Sequence, residues 1–336
     1  MCIQKSFIQL MNTIIKSAIV CLFAFFSISI TAQTKPFPQN ITYPYGYKPA
    51  TISSSHAQNE YTKLKTSYLV TCGNNVRPVA DVKDNTNSES MGYVLLIAAY
   101  QGDKAIYDKL LNFYKSERSS SANNMMAWKV NCGGILDAGS ITDADIDVAF
   151  SLIIAHIQWR ENYLDDAKTI IGILKNSVIT DCSGIKALKA GYGYGGCNET
   201  NISYYTPAFF RVFAQVTNDN TWTALADDTY TLLSRAANAT TGLVPDWQSV
   251  AGGAATGGRS LNYQYDACRV PWVPVTTGGH VLDFKWVDWM ESLELSVPLR
   301  RIATFARVTT HRADDHALLG LARRSLNALT LGYGQL

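Results

Sequence analysis

The sequence predicts an all-α protein built from successive helical hairpins. Three observations carry that reading: apolar residues recur at helical spacing along most of the chain, very apolar helices alternate with more polar ones, and strand-like alternation is scarce. The central stretch is Ile141–Trp159, in which Ile146, Ala149, Phe150, Ile153 and Ile157 mark one face while Val148, Leu152, Ile154 and Ala155 fill most of the others. A helix that apolar is buried on nearly all sides. Asp143, Asp145 and Asp147 nevertheless stand in or near its first turn, where free N–H groups and the macrodipole favour negative charge. Thr142 with Asp145 three residues later also fits a capping box, the ordinary reason for acids at such a place.

From the N-terminus, the first 32 residues read as a leader rather than as part of the fold. Lys16 precedes the apolar run Ser17–Ile30, which is short for a membrane span, and Thr31-Ala32-Gln33 offers a cleavage site, so residues 1–32 form a secretory signal peptide. An uncleaved anchor is the alternative, and Met11 heads a serviceable leader of its own. Gln58–Leu69 then reads as a first helix and Cys72–Ser88 as a polar loop. Ser90–Gln101 follows, with Met91, Val94, Leu95, Ala98 and Ala99 as its core face, and after Gly102-Asp103 its partner Lys104–Lys115 completes a hairpin. Ala144–Trp159 with Tyr163–Lys175 makes a second, and Pro207–Val216 with Asn220–Ala237 a third.

Periodicity leaves open whether paired helices wrap as an open solenoid or close into a ring. The loops favour closure. Glu89, Trp128, Asp143, Tyr204, Tyr205 and Asp266 all sit before apolar helices, and a ring gathers those loop ends at one face.

Without the leader, 304 residues (336 less 32) carry 27 basic side chains (29 less Lys5 and Lys16) against 27 acidic ones, a formal charge of zero. That balance speaks against a nucleic-acid partner. No Pro/Ser/Gly-rich linker divides the chain, so one core is expected. Five cysteines remain, Cys72, Cys132, Cys182, Cys197 and Cys268, in spacings that match no zinc site. Cys182 and Cys197 flank a Gly-rich loop that one disulfide can close in an oxidising compartment, and the odd count leaves at least one thiol.

Four stretches then come together: Ser88-Glu89-Ser90-Met91-Gly92-Tyr93, Met126-Ala127-Trp128-Lys129-Val130, Thr142-Asp143-Ala144-Asp145 with its helix, and Tyr265-Asp266-Ala267-Cys268-Arg269-Val270-Pro271-Trp272. In this order they resemble the successive motifs of glycoside hydrolase family 8. The resemblance runs from about Pro44 to Trp272 and takes in Asn201–Ala214 and Gly242–Trp247; Ile141 stands where the family usually has Ala, and Ser90 where Gly is common. It implies an (α/α)6 barrel, six inner and six outer helices, with a sugar-binding cleft across one end. It also implies an inverting hydrolase of internal β-1,4 linkages in cellulose-type glucan, with Glu89 as general acid, Asp266 as general base and Asp143 holding the sugar and aligning the water. Xylanase or chitosanase action is the alternative within the family, and a catalytically impaired glycan-binding barrel is the alternative outside catalysis. An Asp in Tyr265-Asp266 leans towards glucan or xylan.

The residue types suit that chemistry on their own account. Inversion needs a protonated carboxyl on the leaving oxygen and a carboxylate across the ring with water between, the two about 6.5–9.5 Å apart. An apolar helix behind Glu89 suits the group that carries a proton, and Arg269 beside Asp266 suits the one that must be ionised. The plainer readings are a capping box of Thr86 with Glu89 and an ordinary ion pair of Asp266 with Arg269. Pyranose rings present apolar C–H faces to aromatics. Trp128 and Tyr205 are the first candidates to receive them, then Tyr204, Tyr265 and Trp272, with Arg269 as a polar contact. Trp159 is assigned to packing, His156 to a hydrogen-bonded core position, and Asp145 and Asp147 to structural support. The chemistry requires no cofactor and no metal. The expected partner is β-1,4-linked polysaccharide, and the protein is expected to be a secreted or periplasmic monomer with no stable membrane association once the leader is removed.

After Trp272 the pattern ends. The family continues with Arg-Ile and a helix pair that closes the ring, whereas this chain reads Val273-Pro274-Val275-Thr276-Thr277-Gly278-Gly279-His280. Composition changes with it: Thr34–Trp272 holds 13 Lys and 7 Arg, and the last 64 residues hold 1 Lys and 6 Arg. Residues 33–272 are therefore read as the catalytic barrel. Residues 273–336 are read as a frameshifted, fused or replaced C-terminus standing in for the last helices, with Asp288–Ser296 and Ala313–Leu329 as substitutes; a diverged genuine ending is the alternative.

Overall fold

The computed structural model describes residues 54–80, 84–239, 242–259, 261–267 and 270. The leader, the segment after Trp272 with its expected substitute helices, and Cys268, Arg269 and Trp272 lie outside the described residues.

Within them the all-α reading holds. Seven α-helices follow in order among the described residues: α1 (Ser54–Tyr68), α2 (Ser88–Gln101), α3 (Lys104–Ser116), α4 (Thr142–Trp159), α5 (Leu164–Val178), α6 (Pro207–Thr217) and α7 (Asn220–Ala236). The three expected hairpins are α2/α3, α4/α5 and α6/α7. Their turns have local causes. Gly102 takes a left-handed φ of 69° at the end of α2, and the Asp103 side chain then caps α3 by accepting from the Ile106 amide at 3.2 Å. Pro207 opens α6, where its missing N–H costs nothing.

Inner and outer members differ as their sequences imply. Every residue of α2 except Glu89 is buried, and in α4 all but Asp147, His156 and Ile157 are. In α3 the buried set is Tyr107, Leu110, Leu111, Phe113 and Tyr114, and in α5 it is Ala167, Ile170, Ile171, Leu174, Ser177 and Val178, one stripe at helical spacing. The outer helices thus cover the core with one face and leave the other to water. Trp159 packs on Tyr107 and Tyr163, with ring centroids 5.2 and 5.7 Å away, as its assignment to packing requires. His156 is half-buried near the end of α4, its Nδ1 2.7 Å from the Glu161 carbonyl.

Between the helices run short antiparallel ribbons that the sequence analysis did not assign. The pair β1 (Leu69–Cys72) and β2 (Asn75–Pro78) follows α1, and β4 (Arg118–Ser119) with β5 (Met125–Met126) follows α3. The pair β8 (Ile179–Cys182) and β9 (Ile185–Leu188) follows α5. Cys72–Ser88 is therefore not simply a polar loop, because Val76, Arg77 and Val79 are buried in it. A three-stranded sheet joins β3 (Thr86–Asn87), β6 (Lys129–Asn131) and β7 (Gly134–Asp137), and β10 (Thr200–Asn201) pairs with β11 (Trp247–Gln248). Disulfides link Cys182 with Cys197, as the spacing suggested, and Cys72 with Cys132, which it did not. Among the described residues no helix is long and apolar enough to cross a membrane.

Candidate active site

Glu89 is the second residue of α2 and the one member of that helix left unburied. Its turn is closed by a neighbour: Asn87 is the N-cap and accepts from the Ser90 amide at 2.9 Å, while Ser88 Oγ lies 3.5 Å from Glu89 Oε2. The Ser88 amide donates to the Trp128 carbonyl at 3.0 Å, so the bend between β5 and β6 at Trp128 sets the entry to the helix. The capping-box reading of Glu89 fails here. Thr86 is a strand residue whose hydroxyl donates to the Pro78 carbonyl and accepts from Arg77 Nη1 at 3.2 Å.

Asp143, in the first turn of α4, keeps 8 % of its surface exposed. The capping-box reading fails at this helix too, for its N-cap is Ile141, without a side-chain bond, and Thr142 Oγ1 donates to the Lys189 carbonyl at 2.7 Å. Gly92 faces α4 so closely that a Cβ there would meet the Ala144 carbonyl oxygen at 2.8 Å and Asp147 Cβ at 3.0 Å. Three residues before Gly92 is Glu89, and one before Ala144 is Asp143. The close approach therefore brings the two acids to the same end of the helix pair.

Tyr194 reports on both acids. Burial, then Asp143, then Glu89 hold its phenol above the ordinary tyrosine range, with Arg259 acting in the opposite sense. Its hydroxyl donates to the Ser140 carbonyl at 3.1 Å, and its ring lies on the bare backbone of Gly191, where a Cβ would be 2.2 Å from Tyr194 Cε1.

Asp266 is held from another set of elements. Asn201 Nδ2 donates to its Oδ2 at 2.8 Å, and Asn201 is itself fixed in β10 opposite Trp247, with its Oδ1 accepting from Ser203. Behind it, Asp246 Oδ1 accepts from the backbone amides of Gln264 (3.0 Å) and Ala267 (2.8 Å), which pins the turn through Tyr265-Asp266-Ala267. Burial raises the Asp246 carboxyl above the usual range, the Ala267 amide offsets part of that, and the nearby Asp266 adds to it. Arg259 lies 4.3 Å from the Trp247 ring centroid and 2.8 Å from Glu199 Oε1, and both Arg259 and Glu199 act on Tyr194. Glu89 and Asp266 are each half-buried, so neither is sealed among packed side chains. Among the described residues no group of three His, Cys, Asp or Glu side chains is placed to hold a metal ion.

Residues 36–279 match the family model described as Glycosyl hydrolases family 8. The chain belongs to glycosyl hydrolase family 8. Endoglucanase 2 of Ruminiclostridium josui is 34 % identical over 290 residues, 79 % of this chain and 61 % of that protein. Endoglucanase A of Acetivibrio thermocellus is 34 % identical over 263 residues, 72 % of this chain and 54 % of its own. The chain thus spans little more than half to three fifths of the length of these curated relatives. Among solved structures, the β-1,3-1,4-glucanase from Paenibacillus sp. X4 superposes with a TM-score of 0.68 at 28 % identity, covering 79 % of each chain. The family 8 endoglucanase Cel10 from Klebsiella pneumoniae gives 0.62 at 21 %, covering 71 % of this chain and 79 % of that one. The hairpins described above are those of the family 8 (α/α)6 barrel.

The aromatics of this family 8 site divide in a way the sequence did not reveal. Trp128 is 38 % exposed beside Lys129, and Tyr265 is 50 % exposed next to Asp266, so both offer ring surface to a ligand. Tyr205, a first choice from sequence, is a correction: it is 1 % exposed, and its hydroxyl accepts from the Leu188 amide and meets Thr200 Oγ1, each at 2.7 Å. Its ring belongs to the core. Tyr204 is buried as well, edge-on to Trp247 at 6.4 Å, and has no open stacking face. Arg269 and Trp272 lie outside the described residues, so the Asp266–Arg269 ion pair does too. Sequence reasoning missed Tyr194, Asn201 and Asp246, which bear on the candidate acids. Asn201 and Asp246 lie inside matched stretches, and that placement was the available signal.

Proposed function

We propose that this chain is an inverting endo-β-1,4-glucanase that cuts cellulose-type glucan. One observation supports the reading: Glu89 and Asp143 stand in the first turns of α2 and α4 and both act on the Tyr194 phenol, while Asp266 is held separately by Asn201. In this reading Glu89 protonates the leaving glycosidic oxygen and Asp266 takes a proton from the water that attacks the anomeric carbon from the opposite face. Asp143 holds the sugar at the cleavage point and orients that water, and Trp128 and Tyr265 receive pyranose faces. Because water itself forms the new bond to the anomeric carbon as the glycosidic bond breaks, no covalent glycosyl-enzyme forms; Asp266 then releases its proton to solvent and Glu89 takes one up.

The endoglucanase activities named for the Ruminiclostridium and Acetivibrio relatives favour β-1,4-glucan. A second substrate, mixed-linkage β-1,3-1,4-glucan, is favoured by the activity named for the Paenibacillus enzyme. Two disulfides fit an oxidising compartment and, with residues 1–32 read as a leader, favour a secreted or periplasmic location. A monomer without stable membrane association is part of the same proposal. The test is release of new reducing ends from carboxymethylcellulose, mixed-linkage glucan, xylan and chitosan, with Glu89→Gln as control. Activity on the first that Glu89→Gln abolishes is expected. Equal signal from both proteins would leave a glycan-binding barrel, and cleavage of xylan or chitosan alone would move the substrate.

A further inference from the structure

We propose that Asp145 is a positioning residue for this site: from the interior it locks the helix turn carrying Asp143 to the segment between β5 and β6 that carries Trp128 and sets the entry to Glu89. The proposal rests on the hydrolase reading above.

Asp145 is 1 % exposed and does not cap its own helix. Its Oδ1 accepts from Tyr114 Oη at 2.5 Å, and the Met126 amide donates to both oxygens, at 3.3 Å to Oδ1 and 3.2 Å to Oδ2. Met126 begins a run of backbone bonds. The Ala127 amide donates to the Glu117 carbonyl at 3.0 Å, the Trp128 amide to the Gly139 carbonyl at 2.6 Å, and the Ser88 amide to the Trp128 carbonyl at 3.0 Å. Two residues before Asp145 is Asp143, and one after Ser88 is Glu89. The turns carrying the two acids are therefore linked through Asp145, Met126, Ala127 and Trp128.

Packing alone does not account for a carboxylate here. Taking one out of water is costly, and a neutral amide or a hydrophobe of similar size fills such a place at lower cost. Burial pushes the Asp145 carboxyl up to about 7; Tyr114, Met126 and Arg118 act against that, and Asp143 adds to it. The groups bearing on it are thus Tyr114 from α3, the Met126 amide from β5, Arg118 from β4 and Asp143 on its own helix. Ionised, Asp145 takes the amide and the phenol as donors and adds negative charge beside Asp143. Geometry and field both reach the reacting end from one buried group.

The experiment uses the full chain, with Asp145→Asn, Asp145→Ala and Tyr114→Phe assayed for folded fraction, kcat, KM and the pH dependence of kcat. Asparagine keeps an oxygen for the Met126 amide and removes the charge; alanine removes both. The expected result for Asp145→Asn is a folded protein whose kcat falls about tenfold to a hundredfold with KM little changed, as a small misplacement of reacting groups produces. The inflection in kcat near neutral pH should disappear with the charge, and Asp145→Ala should lose more. An Asp145→Asn protein with wild-type kcat and pH profile overturns the proposal, as do losses in all three variants that track folded fraction alone. A wild type that cleaves no glucan overturns the hydrolase reading and this proposal together, whereas a wild type that turns over alongside an indifferent Asp145→Asn overturns this one by itself.

Discussion

Gly92 and Ala144 touch backbone to backbone, α2 against α4, with no room between them: a single added carbon on Gly92 would stand 2.8 Å from the Ala144 carbonyl oxygen. That contact sets the separation of the two helix ends bearing Glu89 and Asp143. Neither backbone can yield cheaply, since α2 and α4 are buried on almost every other face. Gly92→Ala should lower stability by about 1–3 kcal/mol, the usual cost of overpacking a core. It should lower kcat further than the change in folded fraction accounts for. Thermal denaturation and steady-state kinetics on one preparation separate the two effects, and an unchanged kcat in the folded fraction counts against the contact as the spacer.

Asn201 holds Asp266 through one bond of 2.8 Å and keeps itself in place by accepting from Ser203. Asn201→Asp retains that acceptor but sets a second carboxylate against Asp266. A hydrogen bond to a charged group is worth about 1.5–3 kcal/mol, so Asn201→Ala should reduce kcat/KM about tenfold to a hundredfold. Asn201→Asp should reduce it more. If the aspartate variant is the better enzyme, Asn201 is not what holds the base.

The Cys182–Cys197 disulfide spans 15 positions and encloses the turn that carries Tyr194. Closing a loop of that length restricts the unfolded chain by about 3 kcal/mol in the chain-entropy account. A Cys182→Ser/Cys197→Ser double variant should therefore melt several degrees lower and bind glucan less well, with KM rising before kcat falls. Equal KM in both proteins would mean that the Gly191–Gly196 turn holds Tyr194 without its crosslink.

Stability should fall as pH rises through the neutral range because of Asp145. Its folded carboxyl is raised to about 7, whereas an unfolded aspartate titrates near 3.9. The folded state thus holds its proton more tightly, and that contribution is complete below about pH 4 and lost as pH climbs through 7. Asp246, raised chiefly by burial, acts in the same direction. Melting curves of wild type and Asp145→Asn from pH 4 to 8 should show the gap moving in favour of the variant as pH rises. A gap that does not move would mean that Asp145 titrates alike in both states.

Much of this was legible because helical periodicity is local. The hairpins α2/α3, α4/α5 and α6/α7 were read to within a few residues, since each outer helix writes its stripe at spacings of three and four. Glu89 was singled out through the resemblance of Ser88-Glu89-Ser90-Met91-Gly92-Tyr93 to a family motif, and the structure leaves it as the one unburied residue of its helix. Tyr205 misled. Its sequence neighbourhood is that of Tyr204, and nothing nearby says that Leu188 and Thr200 close over its hydroxyl. The short ribbons between helices were missed because two to four residues are too few to display an alternation.

The sequence by itself determined the helical class, the pairing of apolar with amphipathic helices and the family to which the acids belong, because each is written in residues a few positions apart. Only the tertiary structure decided which side chains reach the cleft and which are sealed from it. Asn201 meets Asp266 across 65 positions and Asp145 meets the Met126 amide across 19. A carboxylate's role follows from its desolvation and its donors, and both come from segments that meet only when the helices pack.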